Sequence, residues 1–238
     1  MAIMEYLKKN ISYDSILSIP INQIMRYYPF VDFVKKLKKK NKGIKILEVG
    51  SGGAGITKFI KTKVVGIDVA VDDKPSPYLK FIKHSALERF PFKDNSFDVA
   101  LSADTYEHLP RAKRKKMLEE MYRVSNKHVL ITTLFGETKW DRKVLQNWTS
   151  KDKYYQDIFE HKQAGFPDVK EIYSFLKNKK CRLRKRYGIH PRLAYFFMLT
   201  EQNIFMMLLS RTALKLFLPL LKLYKGKNRI HFFIEKTK

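Results

Sequence analysis

The pattern of apolar and polar residues in the first half of the chain predicts a strand, a tight turn, a helix and a second strand. Residues 46–49 form an apolar run interrupted by one acid, and a glycine-rich turn over 50–55 follows it. The next segment, 56–63, predicts a helix, and the apolar run at 64–68 predicts a second strand. Strands that alternate with helices in this way indicate an α/β fold with a parallel sheet.

The same alternation continues downstream. Residues 97–102 predict a strand, 111–124 a helix and 128–133 another strand. Near the C terminus, 181–187 and 229–236 predict the last two strands, and Ile230, Phe232 and Ile234 alternate within the second of them.

The two ends of the chain predict additions to this core. Apolar residues recur at helical spacing within residues 1–43, which predicts an N-terminal helical cap. The connection over 188–228 contains the most apolar stretch of the chain and predicts a helical insertion before the last strand. We therefore divide the chain into a cap at 1–43, a Rossmann-like core at 44–134, and a substrate-side segment at 135–238 that belongs to the same domain.

The turn after the first strand has the residues of an adenosine-binding loop. Gly50, Gly52 and Gly55 permit a tight turn and a close approach to a ligand, while Asp68 can accept hydrogen bonds from both ribose hydroxyls. A carboxylate at Glu48, two residues before the first glycine, would repel a pyrophosphate but favours a sulfonium and an ammonium group. The sequence therefore favours S-adenosylmethionine over a dinucleotide.

Three blocks of the sequence resemble the class I S-adenosylmethionine-dependent methyltransferases, in particular their ubiquinone-biosynthesis-like branch. Residues 48–52 have the family's E/D-x-G-x-G form, 90–102 are similar to its PF-x-D-x-SFD run, and 106–109 are similar to its EHL segment. The resemblance covers roughly 44–134. It implies a doubly wound, Rossmann-like seven-stranded sheet with S-adenosylmethionine as the cofactor.

The resemblance also implies a cofactor site at the carboxyl ends of the strands. Ser85 falls where the family tends to place an aspartate that accepts from the adenine amine, and a serine can also accept a hydrogen bond. The implied cofactor-binding residues are Glu48, Gly50, Ser51, Gly52, Asp68, Val69, Ser85, Ala86 and Ser102.

Asp104 and His108 follow the strand at 97–102 and are the candidate catalytic residues. Methyl transfer requires a nucleophile held in line and, where needed, a group that removes its proton, a task that suits histidine. His161 is a further candidate, and the alternative for His108 is that it caps or packs at a helix start. No metal site is predicted, because the histidines are dispersed and Cys181 is the only cysteine.

Two nucleic-acid reactions do not fit the sequence. Family members that methylate exocyclic base amines generally carry an Asn/Asp-Pro-Pro-aromatic motif, whereas residues 102–105 read Ser-Ala-Asp-Thr here. Methylation of carbon 5 of a pyrimidine needs a nucleophilic thiolate, and Cys181 lies on a late predicted strand.

The charge predicts polyanionic partners. Lysine and arginine total 48 against 23 acidic residues, so the formal net charge is +25 and the pI is near 9.9. Nucleic acid, an anionic membrane face and a phosphorylated substrate all fit such a surface. The alternative explanation is a lysine-rich genome.

Residues 204–225 predict an interfacial helix. Arg211 and Lys215 share a narrow basic face, and most of the remaining side chains are apolar, as in helices that lie on an anionic membrane. Packing on the sheet or on a dimer partner is the alternative. The single cysteine and the absence of an apolar leader in 1–10 predict a cytoplasmic location, with peripheral attachment to the cytoplasmic membrane face.

These features predict a methyltransferase that uses S-adenosylmethionine and acts on a small or lipid-linked acceptor at oxygen. One alternative is an RNA methyltransferase that uses its basic surface, although nucleic acid is not the favoured partner. The other is a catalytically silent basic module that docks on membrane or nucleic acid.

Overall fold

In the computed structural model, which describes residues 19, 21–71, 75–151, 153–189, 209 and 225–237, seven strands form one mixed sheet. In chain order they are β1 (Ile46–Val49), β2 (Val64–Asp68), β3 (Leu79–Lys83), β4 (Phe97–Ala103), β5 (Ser125–Leu134), β6 (Cys181–Ile189) and β7 (Lys225–Lys236). Their order in the sheet is β3-β2-β1-β4-β5-β7-β6. The neighbouring strands from β3 to β5 pair in parallel, and β7 pairs antiparallel with both β5 and β6. The predicted α/β, doubly wound seven-stranded fold is confirmed.

Five α-helices lie among the described residues: α1 (Ile21–Lys40), α2 (Arg114–Val124), α3 (Lys139–Asn147), α4 (Lys153–Ala164) and α5 (Val169–Leu176). Short 3₁₀ helices occupy Gly55–Lys58, Tyr106–His108 and Arg111–Lys113. The predicted helix at 111–124 is therefore a 3₁₀ turn followed by α2. The predicted N-terminal helices are confirmed in α1, and residues 1–18 lie outside the described part of the chain.

The sheet is buried on both faces, which explains the continuous apolar runs of its central strands. All four residues of β1 are buried, as are six of the seven in β4. On one face α1 packs through Tyr27, Phe30 and Val34. On the other face α2 and α5 pack through residues such as Met121 and Ile172.

The helix predicted over 56–63 is wrong in type and length, because only Gly55–Lys58 is helical, as a 3₁₀ turn. The Ile56 amide donates to the Glu48 carboxylate instead of to a helical carbonyl. The following amide bonds span three residues, from Thr57 to Ala54 and from Phe59 to Ile56. This short turn leaves the chain free to begin β2 at Val64.

Helix α5 begins at a capping box. The Asp168 side chain accepts from the Lys170 amide, and the Glu171 side chain accepts from the Asp168 amide, which completes a capping box. The last two strands are also confirmed, and both are longer than predicted.

Ile189 at the end of β6 pairs with Lys225 at the start of β7. Strand β6 runs in the same direction as β5, so Ile189 and Lys225 both lie at the edge formed by the carboxyl ends of the parallel strands. The predicted insertion and the predicted interfacial helix at 204–225 lie mostly outside the described residues. Leu209, which is described, is exposed. Within the described ranges, no helix is both long enough and apolar enough to cross a membrane.

Candidate active site

The glycine turn after β1 comes very close to the segment that follows β4. Gly50 has a φ of +74°, and a Cβ at this position would lie 1.8 Å from Thr105 Oγ1. Gly52 also has a positive φ, +51°, but a Cβ there would meet nothing within 4 Å. The turn is therefore packed tightly on one side and faces open space on the other, as a loop that cradles a ligand requires.

Asp68, at the end of β2, holds this turn from the adjacent strand. Its Oδ2 accepts from the Gly52 amide at 2.8 Å, and its Oδ1 accepts from the Val69 amide at 2.7 Å. The carboxylate is partly exposed, so its remaining lone pairs can still accept from ribose hydroxyls. Val69 is the most exposed large apolar side chain among the described residues and lies directly beside Asp68.

The other predicted cofactor residues lie at the same edge of the sheet. Ser85 follows β3, and its Oγ accepts from the Leu87 amide at 3.1 Å, while Ala86 packs partly buried against the core. Ser102 lies near the end of β4, and its buried Oγ has no hydrogen-bond partner among the described residues. A buried hydroxyl without a partner is costly, and this one fits a site that a cofactor completes.

Glu48 is fully buried and joins three elements. Its Oε1 accepts from the Tyr27 hydroxyl of α1 at 2.7 Å, and its Oε2 accepts from the Ile56 amide at 2.8 Å. A Cβ on Gly55 would lie 2.1 Å from Oε2. Glu48 therefore fixes the shape of the glycine turn, a role that its position in the sequence did not reveal.

The charge of Glu48 should depend on the cofactor. Burial raises the pKa of Glu48 to about 8, although the Ile56 amide and the Tyr27 hydroxyl lower it. A cation bound nearby favours the ionised form, so binding below pH 8 should release a proton. We expect the affinity for S-adenosylhomocysteine to fall as the pH drops below 8, by at most about tenfold per pH unit.

Calorimetry from pH 6 to 9 in buffers of different ionisation enthalpy measures both the affinity and the number of protons released. Glu48→Gln is the matched control. It removes the carboxyl group of residue 48, while the titration of the ligand's own amino group still contributes to the pH dependence. An unchanged pH slope in that variant would contradict the assignment to Glu48.

Asp104 lies between two arginines and not beside an open space. Arg229 donates to both of its carboxylate oxygens, one of them at 2.7 Å, and Arg26 Nε lies 2.7 Å from Oδ2. Burial alone would raise the pKa of Asp104, but the guanidinium groups of Arg229 and Arg26 lower it to about 2. A carboxylate this acidic is a poor proton acceptor at neutral pH. We infer that Asp104 orients the two arginines, and its predicted catalytic role is not tested by this geometry.

His108 and His161 are brought together although 53 residues separate them. The two Nε2 atoms lie 3.4 Å apart, and His108 Nδ1 lies 3.3 Å from Glu160 Oε1 on α4. Burial, and secondarily the neighbouring His108, lower the pKa of His161 to about 4, so this imidazole is neutral near pH 7. His108 is 37% exposed and remains the better placed of the two to receive a proton.

Arg26, Tyr27 and Arg229 belong to the site but were not predicted from the sequence. Their contacts with Glu48 and Asp104 join positions 21 or more residues apart. No local pattern in the sequence indicates such pairs.

Comparisons with known proteins agree with this geometry. Residues 47–131 match the family described as methyltransferase domain. No curated protein gives a significant match to the chain.

Two solved structures show the likeness of fold. The plantazolicin methyltransferase BpumL, in complex with a monoazolic desmethylPZN analog and SAH, has a TM-score of 0.57 and 16% sequence identity, covering 91% of this chain and 85% of that chain. Haemonchus contortus phosphoethanolamine N-methyltransferase 2, in complex with phosphomonomethylethanolamine and S-adenosylhomocysteine, has a TM-score of 0.51 and 15% identity, covering 96% of this chain and 61% of that chain. At these identities the likeness concerns the fold.

The sheet order and the glycine turn define a Rossmann-like methyltransferase fold. Residues 47–131 are similar in sequence to a methyltransferase domain, and an S-adenosylmethionine-dependent methyltransferase is the class of enzyme that this similarity and the fold indicate. The finer assignment to the ubiquinone-biosynthesis-like branch stays a prediction.

Proposed function

We propose that this enzyme methylates an oxygen of a small acceptor that also carries an anionic group. The observation that supports the anionic group is the cluster of two arginines and one carboxylate beside the glycine turn. Arg229 uses both Nη groups on Asp104, whereas Arg26 reaches Asp104 through Nε and has no other ion-pair partner among the described residues. The Arg26 guanidinium therefore supplies a positive charge that Asp104 does not fully balance.

The surroundings of this cluster add little negative charge. Burial raises the pKa of Glu107 to about 7, so this neighbouring carboxyl is only partly ionised at neutral pH. Burial lowers the pKa of His231 to about 4, so that ring is neutral. Arg26 keeps 28% of its side chain exposed, and a phosphate or carboxylate is the natural partner for such a guanidinium.

Within this proposal the bound cofactor supplies an activated methyl group. The glycine turn and Asp68 would hold the cofactor, and Arg26 would hold the acceptor by its anionic group, which would restrict the position of the reacting oxygen. The oxygen must lose a proton, and His108 is placed to receive it. Glu160, 3.3 Å from His108 Nδ1, would stabilise the resulting imidazolium.

The proposed class includes a lipid-linked acceptor. The apolar segment predicted to meet an anionic membrane is attached to the crevice edge of the sheet, because Ile189 pairs with Lys225 there. This attachment and the basic charge of the chain support an acceptor delivered from a membrane surface, and the proposal includes a cytoplasmic location.

Turnover of paired acceptors tests the acceptor class. We expect 4-hydroxybenzoate to be preferred by at least about tenfold in kcat/KM over phenol, which lacks the anionic group, and over phosphoethanolamine, which carries a phosphate but offers an amine in place of a hydroxyl. Arg26→Gln should raise KM for the anionic member at least about tenfold and leave kcat and the affinity for S-adenosylhomocysteine nearly unchanged. Mass spectrometry of the products distinguishes a methyl ether from a methylamine and so tests the attacked atom.

Arg186→Gln is the control for the loss of one positive charge. Arg186 is an exposed residue of β6 and forms an ion pair with Asp32 of α1. Equal loss in the two variants would show that general charge, and not the Arg26 position, attracts the acceptor. A large loss of cofactor affinity in Arg26→Gln would assign Arg26 to the cofactor and contradict the acceptor role.

A further inference from the structure

A groove of about 320 Å³ lies at the end of the sheet opposite to the methyltransferase crevice. Its floor is one face of β5, β7 and β6. In the register of these strands His128 lies opposite Glu235, and Glu235 lies opposite Arg182. Helix α1 forms the side wall. The lining residues are Phe33, His128, Arg182, Arg184, Phe233 and Glu235.

The two arginines of this groove have no acidic partner among the described residues. Arg182 and Arg184 are both exposed, and the Arg184 guanidinium lies 5.8 Å from the centre of the Phe33 ring. Arg186, two residues further along β6 on the same face, forms an ion pair with Asp32 at 3.3 Å. The charge of Arg186 is therefore offset, whereas the charges of Arg182 and Arg184 at the groove are not.

His128 brings a polar atom without a partner to the same place. The residue is only 6% exposed, and its Nε2 has no hydrogen-bond partner among the described residues. Burial lowers the pKa of His128, and Nε2 of the neutral ring can donate or accept one hydrogen bond, depending on the tautomer. Its edge contacts Phe33 at 5.1 Å between ring centres, which fixes the ring in the floor.

Glu235 provides an acceptor at the other side of the groove. Lys127 Nζ lies 3.8 Å from its carboxylate and offsets part of its charge. The groove thus presents two uncommitted guanidinium groups, one imidazole nitrogen, one carboxylate and an aromatic wall within a small concave space.

We propose that this groove is a second binding site, for the phosphate ester of a nucleotide. The paired guanidinium forks match the oxygens of a phosphate, and a base can stack on an aromatic or guanidinium plane. Glu235 can accept from an N–H or O–H of the ligand, and the volume suits a small molecule. The ligand is either a free nucleotide or one residue of an RNA strand.

The site is distinct from the acceptor site. His128 lies six residues before Leu134, the residue at the crevice end of β5. At about 3.3 Å per residue, the distance between them along the strand is about 20 Å. Basic residues on an edge strand also discourage aggregation, but that role requires neither a concave floor nor a buried imidazole. The proposal does not depend on the class of methyl acceptor.

Titration of the full chain with three probes tests the site: inorganic phosphate, uridine monophosphate and a short labelled oligouridylate. S-adenosylhomocysteine is present in excess throughout, so that the crevice is filled, and uracil avoids competition for an adenosine site. We expect micromolar to submillimolar binding of at least one of the two uridine probes, weakening with salt. If uridine monophosphate and the oligouridylate bind with comparable affinity, the ligand of the groove is a free nucleotide. If only the oligouridylate binds, the ligand is an RNA strand.

The double variant Arg182→Gln/Arg184→Gln should lose binding at least about tenfold. With the oligomer, its salt slope should fall by roughly 1.4, since each phosphate contact on a single strand contributes about 0.7. The control is Lys170→Gln/Lys185→Gln, which removes the same charge from elsewhere on the surface. Circular dichroism and thermal melting verify that both variants are folded.

Two results would overturn the proposal. The first is no binding of either uridine probe by the unmodified chain at millimolar concentration. The second is an equal loss of binding in both double variants, because this would show that net charge and not the groove holds the probe.

Discussion

Gly50→Ala should weaken cofactor binding by at least about 30-fold. The new Cβ would lie 1.8 Å from Thr105 Oγ1 and 2.7 Å from Thr105 Cβ, so the whole threonine side chain or the glycine turn must move. The φ of +74° adds strain of about 1–2 kcal/mol for an L side chain, and overpacking adds about 1–3 kcal/mol. A total of at least about 2 kcal/mol in the bound geometry corresponds to about a 30-fold loss of affinity.

Gly136→Ala is the matched control for this prediction. Gly136 has a φ of +67°, but a Cβ there would meet nothing within 4 Å. Both variants carry the backbone strain, and only Gly50→Ala carries the clash. Calorimetry with S-adenosylhomocysteine should show near-normal affinity for Gly136→Ala. A normal affinity in Gly50→Ala would mean that the turn does not approach the cofactor.

The parallel strands and the glycine turn could be predicted from the sequence because their causes are local. A buried strand needs an apolar run, and the turn needs glycines at positive φ, as Gly50 and Gly52 show. The capping box at Asp168 is equally local, because donor and acceptor lie within three residues. The prediction of a helix over 56–63 was wrong because the Ile56 amide donates to the Glu48 carboxylate, and this contact depends on the fold.

The charged part of the site could not be predicted because its pairs are distant in sequence. Arg229 and Asp104 are 125 residues apart and meet only when β7 pairs beside β5. Arg114 shows the same limit, since no local pattern in the sequence indicates that this basic residue is buried. In the structure it is buried, and its guanidinium donates to the backbone oxygens of Tyr106, Glu107, Leu109, Ala164 and Gly165.

Asp104→Asn should be the most destabilising change of charge in the described part of the site. Asp104 is 6% exposed and is bound by Arg26 and Arg229, which are 28% and 16% exposed. Removing the charge of one member of a buried group costs about 3 kcal/mol because the partners stay buried without compensation. For a chain of this size that loss lowers Tm by roughly 6–12 °C.

Asp32→Asn is the matched control, since Asp32 also lies between two cations, Lys36 and Arg186, but is 31% exposed. An exposed pair of this kind contributes about 1 kcal/mol or less, so its Tm should change little. The pH dependence provides a second test of Asp104. Its pKa is lowered from 3.8 to about 2 in the folded protein, so its stabilisation is complete above about pH 4 and is lost as the pH falls towards 2. The difference in Tm between the unmodified chain and Asp104→Asn should therefore narrow over that interval, and a difference that stays constant would show that the carboxylate charge is not what holds the two arginines.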